Sequence, residues 1–200
     1  MKTITQEIFS FDELSEEAKQ VALEQFSDIN TDHNWYEFIY DDFKEQLKEN
    51  TLFVAEKIYF SGFYSQGDGA MFEGSFLVND DSDIKLLNQY FKPRIVKLIK
   101  KGLITLTINF NHYGHYCHEK SYQNDFDLFI SYDKKFTENI SKEIHEAEDK
   151  ITEDYEILCK DLYRDLEEEY DFQSEAEQIA ETIRINEYEF FKNGKQYVSN

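Results

Sequence analysis

The sequence predicts an α+β fold: an antiparallel sheet of four strands or more, covered on one face by amphipathic helices, with a long acidic helix near the C-terminus. Apolar residues recur at every second position in the middle of the chain and every three to four positions at both ends, the periods of strands and helices. The charge divides in the same way. Of the formal −21, residues 1–50 carry −9, residues 51–136 carry 0, residues 137–189 carry −14 and residues 190–200 carry +2.

Residues 1–50 are predicted to be helical. Ser15 precedes Glu16 and Glu17, an arrangement that caps a helix N-terminus and places acids at its positive end. The apolar stripe of this first helix consists of Ala18, Val21, Ala22 and Phe26. The stripe of a second helix consists of Trp35, Phe38, Ile39, Phe43 and Leu47.

Residues 51–136 are predicted to be rich in strands. Four runs have strand character, at 57–64, 70–78, 104–111 and 125–132; the third alternates strictly between apolar and polar residues, and the fourth does so except at Phe129. In the last run the apolar positions are Phe126, Leu128, Ile130 and Tyr132. The product is an antiparallel sheet with one apolar face.

The connections between these runs carry turn and helix signals. Residues 65–69, with two glycines and an aspartate, predict a hairpin loop between the first two strands. Residues 84–101 have a helical period that Pro93 should interrupt and Gly102 should end.

Residues 137–187 are predicted to be helical and acidic. One apolar stripe continues at spacings of three and four through Ile140, Ile144, Ala147, Ile151, Tyr155, Leu158, Leu162, Leu166 and Tyr170. A helix of about 34 residues is roughly 50 Å long, so it must bend, break or project from a domain of this size. A projecting helix would offer a surface to a partner, including a second copy of the chain in a homodimer.

Carboxylates line the side of this helix away from the apolar stripe. They are Glu146, Asp149, Glu153, Asp154, Glu156, Asp161, Asp165, Glu167 and Glu168. Carboxylates three or four residues apart stand about 5–6 Å from one another, so such a row can imitate a phosphate backbone and occupy a basic groove. These nine residues are the predicted partner-binding surface; the alternative is a solvated face without a partner.

The chain is predicted to close with a hairpin at 188–198, because Asn193-Gly194 stands between two aromatic runs. No internal repeat, linker or low-complexity tract interrupts the sequence. Residues 1–200 are therefore predicted to form a single domain.

The net charge limits the class of partner. Direct binding to nucleic acid or to an anionic membrane would meet repulsion, so a basic protein is the expected partner. The cations around Pro93 are expected to neutralise the acidic helices rather than contact nucleic acid; they are Lys92, Arg94, Lys97, Lys100 and Lys101. Two cysteines, no apolar run of signal-peptide length and no run of spanning length predict a cytoplasmic protein without disulfides.

Three segments resemble a family of small proteins encoded by bacteriophages and prophages. They are Phe11-Asp12-Glu13-Leu14-Ser15-Glu16-Glu17-Ala18-Lys19, then Ser61-Gly62-Phe63-Tyr64-Ser65-Gln66-Gly67-Asp68-Gly69-Ala70, and Gly114-His115-Tyr116-Cys117-His118-Glu119. Members are often labelled "antitoxin of toxin–antitoxin stability system". The resemblance covers about three quarters of the chain, and the glycine-loop motif is its most specific part. It implies a phage or mobile-element origin and carries over no catalytic residue.

A histidine-rich segment is the one candidate metal site. His112, His115, Cys117 and His118 are potential zinc ligands, and a cross-strand site could combine His112 and His118 with Asp68. No pair has the spacing of a closed zinc site. His112 also continues the buried phase of its strand, which favours a hydrogen-bonded residue at the strand end. No motif predicts a catalytic residue or a cofactor, so the chain is predicted not to be an enzyme.

Three functions follow as hypotheses. The first is a phage or prophage protein that inhibits a nucleic-acid-handling bacterial defence protein, such as a nuclease or its guide complex, by binding it as a nucleic-acid mimic. The second is an antitoxin-like module that covers a toxin through apolar and aromatic side chains. The third is a metal-dependent enzyme that uses His112, Asp68 and His118.

Overall fold

The computed structural model describes residues 6–131 and 134–198, with the backbone alone for 134–137. It contains, in chain order, β1 (Phe9–Ser10), a 3-10 turn (Phe11–Glu13), α1 (Glu16–Gln25), α2 (Glu37–Asn50), β2 (Phe53–Ser61), β3 (Gly69–Val78), α3 (Ile84–Tyr90), α4 (Pro93–Ile99), β4 (Ile104–His112), β5 (Tyr122–Ile130), α5 (Lys134–Ser174), α6 (Ala176–Ile185) and β6 (Glu189–Phe190). The predicted α+β class is confirmed.

Two compact units share these elements. The sheet unit is Phe38–Glu167, and the terminal unit combines Met1–Glu37 with Glu168–Asn200. In the sequence, the sheet unit is one continuous segment, and it stands between the two segments of the terminal unit.

The sheet has four antiparallel strands in the order β2-β3-β4-β5. The four predicted strand runs correspond to these strands, and the predicted loop residues 65–68 lie between β2 and β3, whereas Gly69 is the first residue of β3. β4 and β5 pair over nine consecutive positions, from Ile104 opposite Ile130 to His112 opposite Tyr122. Tyr132, assigned by the alternation to the apolar face, lies outside the described residues.

The two faces of the sheet differ in exposure. On β4 the apolar phase is buried at Ile104, Leu106, Ile108 and Phe110, as the alternation predicts. The opposite phase forms an open face. It is made of the half-buried Thr105, Thr107 and Asn109 and, across from them on β5, the exposed Phe129, Asp127 and Asp125.

The apolar stripe of α5 covers the buried face, with Tyr155 at its centre. The Tyr155 ring stacks on Phe110 with centroids 4.0 Å apart, and its hydroxyl donates a hydrogen bond to the backbone oxygen of Phe72 at 2.7 Å. The stripe is confirmed except at Leu158 and Tyr170, which are half-buried, while Cys159, next to Leu158, is fully buried. Cys159 is four residues after Tyr155 and so lies on the same side of α5, where it takes the place of Leu158 in the buried stripe.

The helical run between β3 and β4 divides at Pro93, which is the first residue of α4. Proline fits there because the first helical position has no intrahelical partner for an N–H. Two of the flanking cations neutralise α5 as predicted: Arg94 forms a bidentate pair with Glu143, and Lys92 lies 3.5 Å from the same carboxylate.

The terminal unit is built around a small apolar cluster. Its buried members are Phe11, Leu14, Ala18, Ala22, Ile179, Ala180, Ile183 and Phe190. The predicted cap on α1 is confirmed, since the Ser15 hydroxyl accepts from the Ala18 N–H. Val21 is 39% exposed, so the buried stripe of α1 is narrower than predicted. In α2, which belongs to the sheet unit, Phe43 and Leu47 are buried but Phe38 is 53% exposed.

The last residues of the terminal unit reverse direction at Asn193-Gly194. β6 pairs with β1 rather than with a second long strand, and Phe190 makes a single bridge to Gln196. Gly194 has φ +81°, and a side chain there would collide with the backbone oxygen of Ala18. Glycine is therefore required both for the turn and for the close approach to α1.

Tyr155 provides a test of how α5 is fixed to the sheet. Tyr155→Phe removes the donor to Phe72 and should lower the free energy of unfolding by about 1–2 kcal/mol. Tyr155→Ala also empties the core and should lower it by about 3–5 kcal/mol. Urea unfolding measures both. Tyr113→Ala, at an exposed tyrosine, is the control and should change stability by less than about 0.5 kcal/mol. Equal losses in the free energy of unfolding at Tyr155 and Tyr113 would contradict the packing of Tyr155 against the sheet.

The same core predicts a loss of stability in alkali. Burial raises the pKa of the Cys159 thiol to about 12, and burial beside Glu156 raises the pKa of Tyr122 to about 12. The folded state thus holds these protons more tightly than the unfolded chain. The stabilisation is complete below about pH 8.5, the usual thiol pKa, and is lost as the pH rises toward 12. Urea unfolding should show a constant stability from pH 7 to 8 and a fall above 9. Cys159→Ala should make the fall shallower, and a flat profile to pH 11 would be inconsistent with the buried thiol.

Candidate partner-binding surface

The nine carboxylates predicted to bind a partner differ in exposure. Glu146, Asp149, Glu153 and Glu168 are exposed. The other five are half-buried: Asp154, Glu156, Asp161, Asp165 and Glu167. The predicted row is therefore not one uniformly solvated face.

Several of the half-buried carboxylates already have partners on neighbouring side chains. Glu156 accepts a hydrogen bond from the Tyr122 hydroxyl at 3.3 Å. Arg164 lies 2.9 Å from Asp161 and 3.7 Å from Asp165. A binding partner would have to compete with these contacts, so the middle of α5 is a poor place for strong charge recognition.

The exposed row that remains within the sheet unit is short. Glu146, Asp149 and Glu153 follow at spacings of three and four, so they share one side of α5. Lys142 and Lys150 are exposed on the same helix and reduce the local charge. The side chain of Lys150 is also engaged, donating to the backbone oxygen of Gln89 at 2.8 Å.

The highest charge density lies in the terminal unit. Its 70 residues hold 17 acids and 5 bases, net −12, whereas the 130 residues of the sheet unit hold 25 acids and 16 bases, net −9. Every acid of the terminal unit lies in the described part of the chain, and all except Glu169 are exposed. Residues 1–37 and 168–200, parts of the two acidic ends of the sequence, thus combine into one strongly negative unit, which a count along the chain does not reveal.

The few cations of the terminal unit do little to offset this charge. Arg184 pairs with Asp12 at 3.0 Å and with Glu177 at 3.1 Å, and Lys19 pairs with Glu16 at 2.9 Å. Exposed pairs of this kind contribute little to stability. No ion pair joins Glu24, Glu175 or Glu181 to a cation among the residues described, so these three carboxylates remain open to a partner.

Two motifs of the sequence come together at one end of the sheet. Asp68 closes the glycine loop, accepting from the Ser65 N–H at 2.6 Å and from the Ser61 hydroxyl at 3.3 Å. The Tyr116 ring lies directly against Gly67, where a Cβ atom would come within 2.5 Å of it. The His118 backbone lies equally close to Gly69. The glycine loop is therefore the platform on which the segment between β4 and β5 packs.

The candidate metal ligands have other roles in this packing. The His112 ring stacks on Tyr59 at 4.5 Å, and its Nε2 lies 2.9 Å from the backbone oxygen of Tyr116. His118 Nδ1 accepts from the Lys120 N–H at 3.1 Å. Within 6–131 and 134–198, no three His, Cys, Asp or Glu side chains are grouped so as to hold a metal ion. The structure thus does not bring Asp68, His112 and His118 into one ligand set.

The two packed loops also present aromatic side chains. Tyr64, Tyr113 and Tyr116 are all exposed there. Tyrosines offer large contact areas and are common at the centres of protein interfaces. This aromatic patch is a second surface to which a protein could bind, with a chemistry unlike that of the terminal unit.

The packing of the two motifs can be tested at Gly67, which has φ +93°. Gly67→Ala introduces both backbone strain and a collision with Tyr116, so it should loosen the segment that carries Cys117. The rate at which a thiol reagent labels Cys117 should rise several-fold. The buried Cys159 is the internal control and should stay unlabelled. Gly102→Ala, at a positive φ with open space around it, should leave Cys117 labelling unchanged; equal labelling of both variants would argue against the contact.

No helix in the described part of the chain is long and apolar enough to span a membrane. A family model described as "Domain of unknown function (DUF8835)" matches residues 35–176. No curated protein and no solved structure matches the chain.

Proposed function

The chain belongs to this family, DUF8835, and we propose that it is a binding protein that inhibits a basic, nucleic-acid-handling bacterial protein by occupying its nucleic-acid groove. A phage or prophage origin, a cytoplasmic location and a defence complex as the target belong to the same proposal. The observation that carries it is the net charge of −12 on the 70 residues of the terminal unit.

The charge of the terminal unit needs an explanation other than stability. Exposed like charges repel one another and destabilise the compact state, and the apolar cluster beneath them is small. A surface of closely spaced carboxylates attracts, by its charge, a protein with a basic groove that binds phosphates. Opposite charge speeds the encounter of such partners, and salt weakens it.

Local structure keeps many of these carboxylates on ordered helices. Glu16 and Glu17 stand in the first turn of α1, and Glu177 stands in the first turn of α6. Negative charge is favourable at these helix N-termini, so the acids stabilise the helices on which they are displayed. A rigid display lowers the entropic cost of binding.

The proposal can be tested by neutralising charge on one unit at a time. The variant Glu24→Gln/Glu175→Gln/Glu181→Gln removes three unpaired carboxylates from the terminal unit. The variant Glu146→Gln/Asp149→Asn/Glu153→Gln removes three from α5 and is the matched control. Both use exposed positions, so both should unfold at the same urea concentration as the wild type.

The measurement is capture of host proteins on the immobilised chain, followed by release with duplex DNA. The proposal predicts that DNA releases a nucleic-acid-binding protein and that the terminal-unit variant captures at least about five-fold less of it, since its three carboxylates lie on the proposed binding surface. The α5 variant should change capture by less than about two-fold. Capture that resists DNA, or that is equal in all three proteins, would contradict the proposal.

The aromatic patch favours a second candidate, an antitoxin-like module that covers a toxin. Tyr64, Tyr113 and Tyr116 would then carry the interface, and burial of aromatic surface would make binding insensitive to salt. Loss of binding in Tyr113→Ala/Tyr116→Ala, with unchanged binding in the terminal-unit variant, would favour this function over the first.

A further inference from the structure

The outer edge of β5 is a regular strand edge that no other described strand covers. β5 is the last strand of the sheet order, and its nine pairs with β4 run without a register shift. The opposite edge strand, β2, is interrupted between Ala55 and Lys57 and carries that lysine. Irregularities and lysines protect sheet edges from pairing. β5 itself has no lysine, proline or bulge.

The register shows which backbone groups of β5 point outward. At one end of the ladder the Tyr113 N–H donates to Ser121, and at the other end the Ser131 N–H donates to Leu103. Both bonds continue the pairing register of β4 and β5 beyond the ends of the strands. In an antiparallel pair of strands, residue pairs that are hydrogen-bonded to each other alternate with residue pairs that are not. The odd-numbered residues of β5 therefore bond to β4. The even-numbered ones, Asn124, Phe126 and Leu128 among them, turn their N–H and C=O groups to the outer edge.

No backbone or side-chain group in the described part of the chain bonds to the N–H of these three residues. Beside them on the open face stand the side chains of Asp125 and Asp127, both exposed, and Phe129, which is 59% exposed. The edge thus combines free backbone groups, two negative charges and one apolar contact within a single strand.

Pairing of β5 with β5 of a second copy is disfavoured by these charges. In an antiparallel pair centred on Phe126, Asp125 of each copy would face Asp127 of the other. Centring on Asp125 or Asp127 would place that residue opposite itself. Like charges directly opposite each other on a sheet are destabilising, so these three registers are disfavoured.

We propose that the outer edge of β5 adds a strand from a basic partner protein, an extended segment in which Lys or Arg occupies every second position. Backbone bonds to Asn124, Phe126 and Leu128 supply the pairing, and the alternating cations lie beside Asp125 and Asp127. The partner's intervening side chains lie on the opposite face of the extended sheet. This inference rests on the proposed function only in taking the partner to be basic.

The probe is a synthetic peptide of the length of β5 in which lysine alternates with threonine. A peptide of the same composition with its lysines grouped at one end is the control for charge alone. Amide hydrogen exchange in the wild-type chain should slow at Asn124, Phe126 and Leu128 when the alternating peptide is added. Exchange at Asp125 and Asp127, whose N–H groups already bond to β4, should stay as it was.

Two variants separate the backbone from the charge. Asn124→Pro removes an outward N–H without removing a bond to β4, which is the position where an edge strand tolerates proline. It should weaken the alternating peptide at least ten-fold. Asp125→Asn/Asp127→Asn keeps the edge and should weaken binding several-fold while reducing its dependence on salt.

Equal binding of the grouped-lysine peptide, or unchanged exchange at the three edge amides, would overturn the inference. The exchange measurement needs no variant, so it decides the matter even if Asn124→Pro fails to fold. The terminal-unit variant should bind the peptide like the wild type. Failure of the charge test on the terminal unit therefore leaves this result intact, and the two proposals fail separately.

Discussion

The sheet unit depends on the way Tyr155 is held against the apolar face of the sheet. Its ring stacks on Phe110, and its hydroxyl donates to the backbone oxygen of Phe72, which supplies the acceptor that a buried donor requires. A hydroxyl left without a partner there would cost free energy, so the bond fixes the position of α5 along the strands. Other buried side chains on the same side of α5 complete the contact with the sheet, among them Ile151, Cys159 and Leu162.

The position of α5 on the sheet determines which carboxylates remain exposed to a binding partner. With one side of α5 committed to the sheet, the flanking carboxylates are drawn to neighbouring groups, as Glu156 is to Tyr122 and Glu143 is to Arg94. These acids serve the fold. The carboxylates of the terminal unit, by contrast, cover a small core and are mostly exposed. The proposed recognition therefore rests on the exposed acids of the terminal unit.

Much of the fold could be predicted because its signals are local. Alternation fixed the two faces of β4 and β5, Ser15 marked the start of α1, and Pro93 marked the break between α3 and α4. The exchange of Leu158 for Cys159 in the buried stripe could not be foreseen, since both residues are apolar and differ by one position. Phe38 and Val21 were assigned to buried stripes by spacing alone, whereas burial depends on what packs against each face.

The candidate site was harder to predict because it depends on contacts between distant parts of the chain. The nine acids of α5 lie on one continuous helix, but the contact of Glu156 with Tyr122 comes from the packing of that helix on the sheet. The charge of the terminal unit arises only when residues 1–37 and 168–200 are counted together. Which N–H groups of β5 point outward likewise depends on the pairing register of β4 and β5, which neither composition nor residue spacing reveals.

The central claim is that the acidic surface of the terminal unit recognises a basic partner through charge. Its most direct test is the association rate constant with the DNA-released partner, measured by stopped-flow fluorescence as the NaCl concentration rises from 50 to 500 mM. Charge steering predicts a fall of at least about ten-fold, because the Debye length shrinks to a few ångströms over this range. An association rate constant that stays the same across the range would contradict the account.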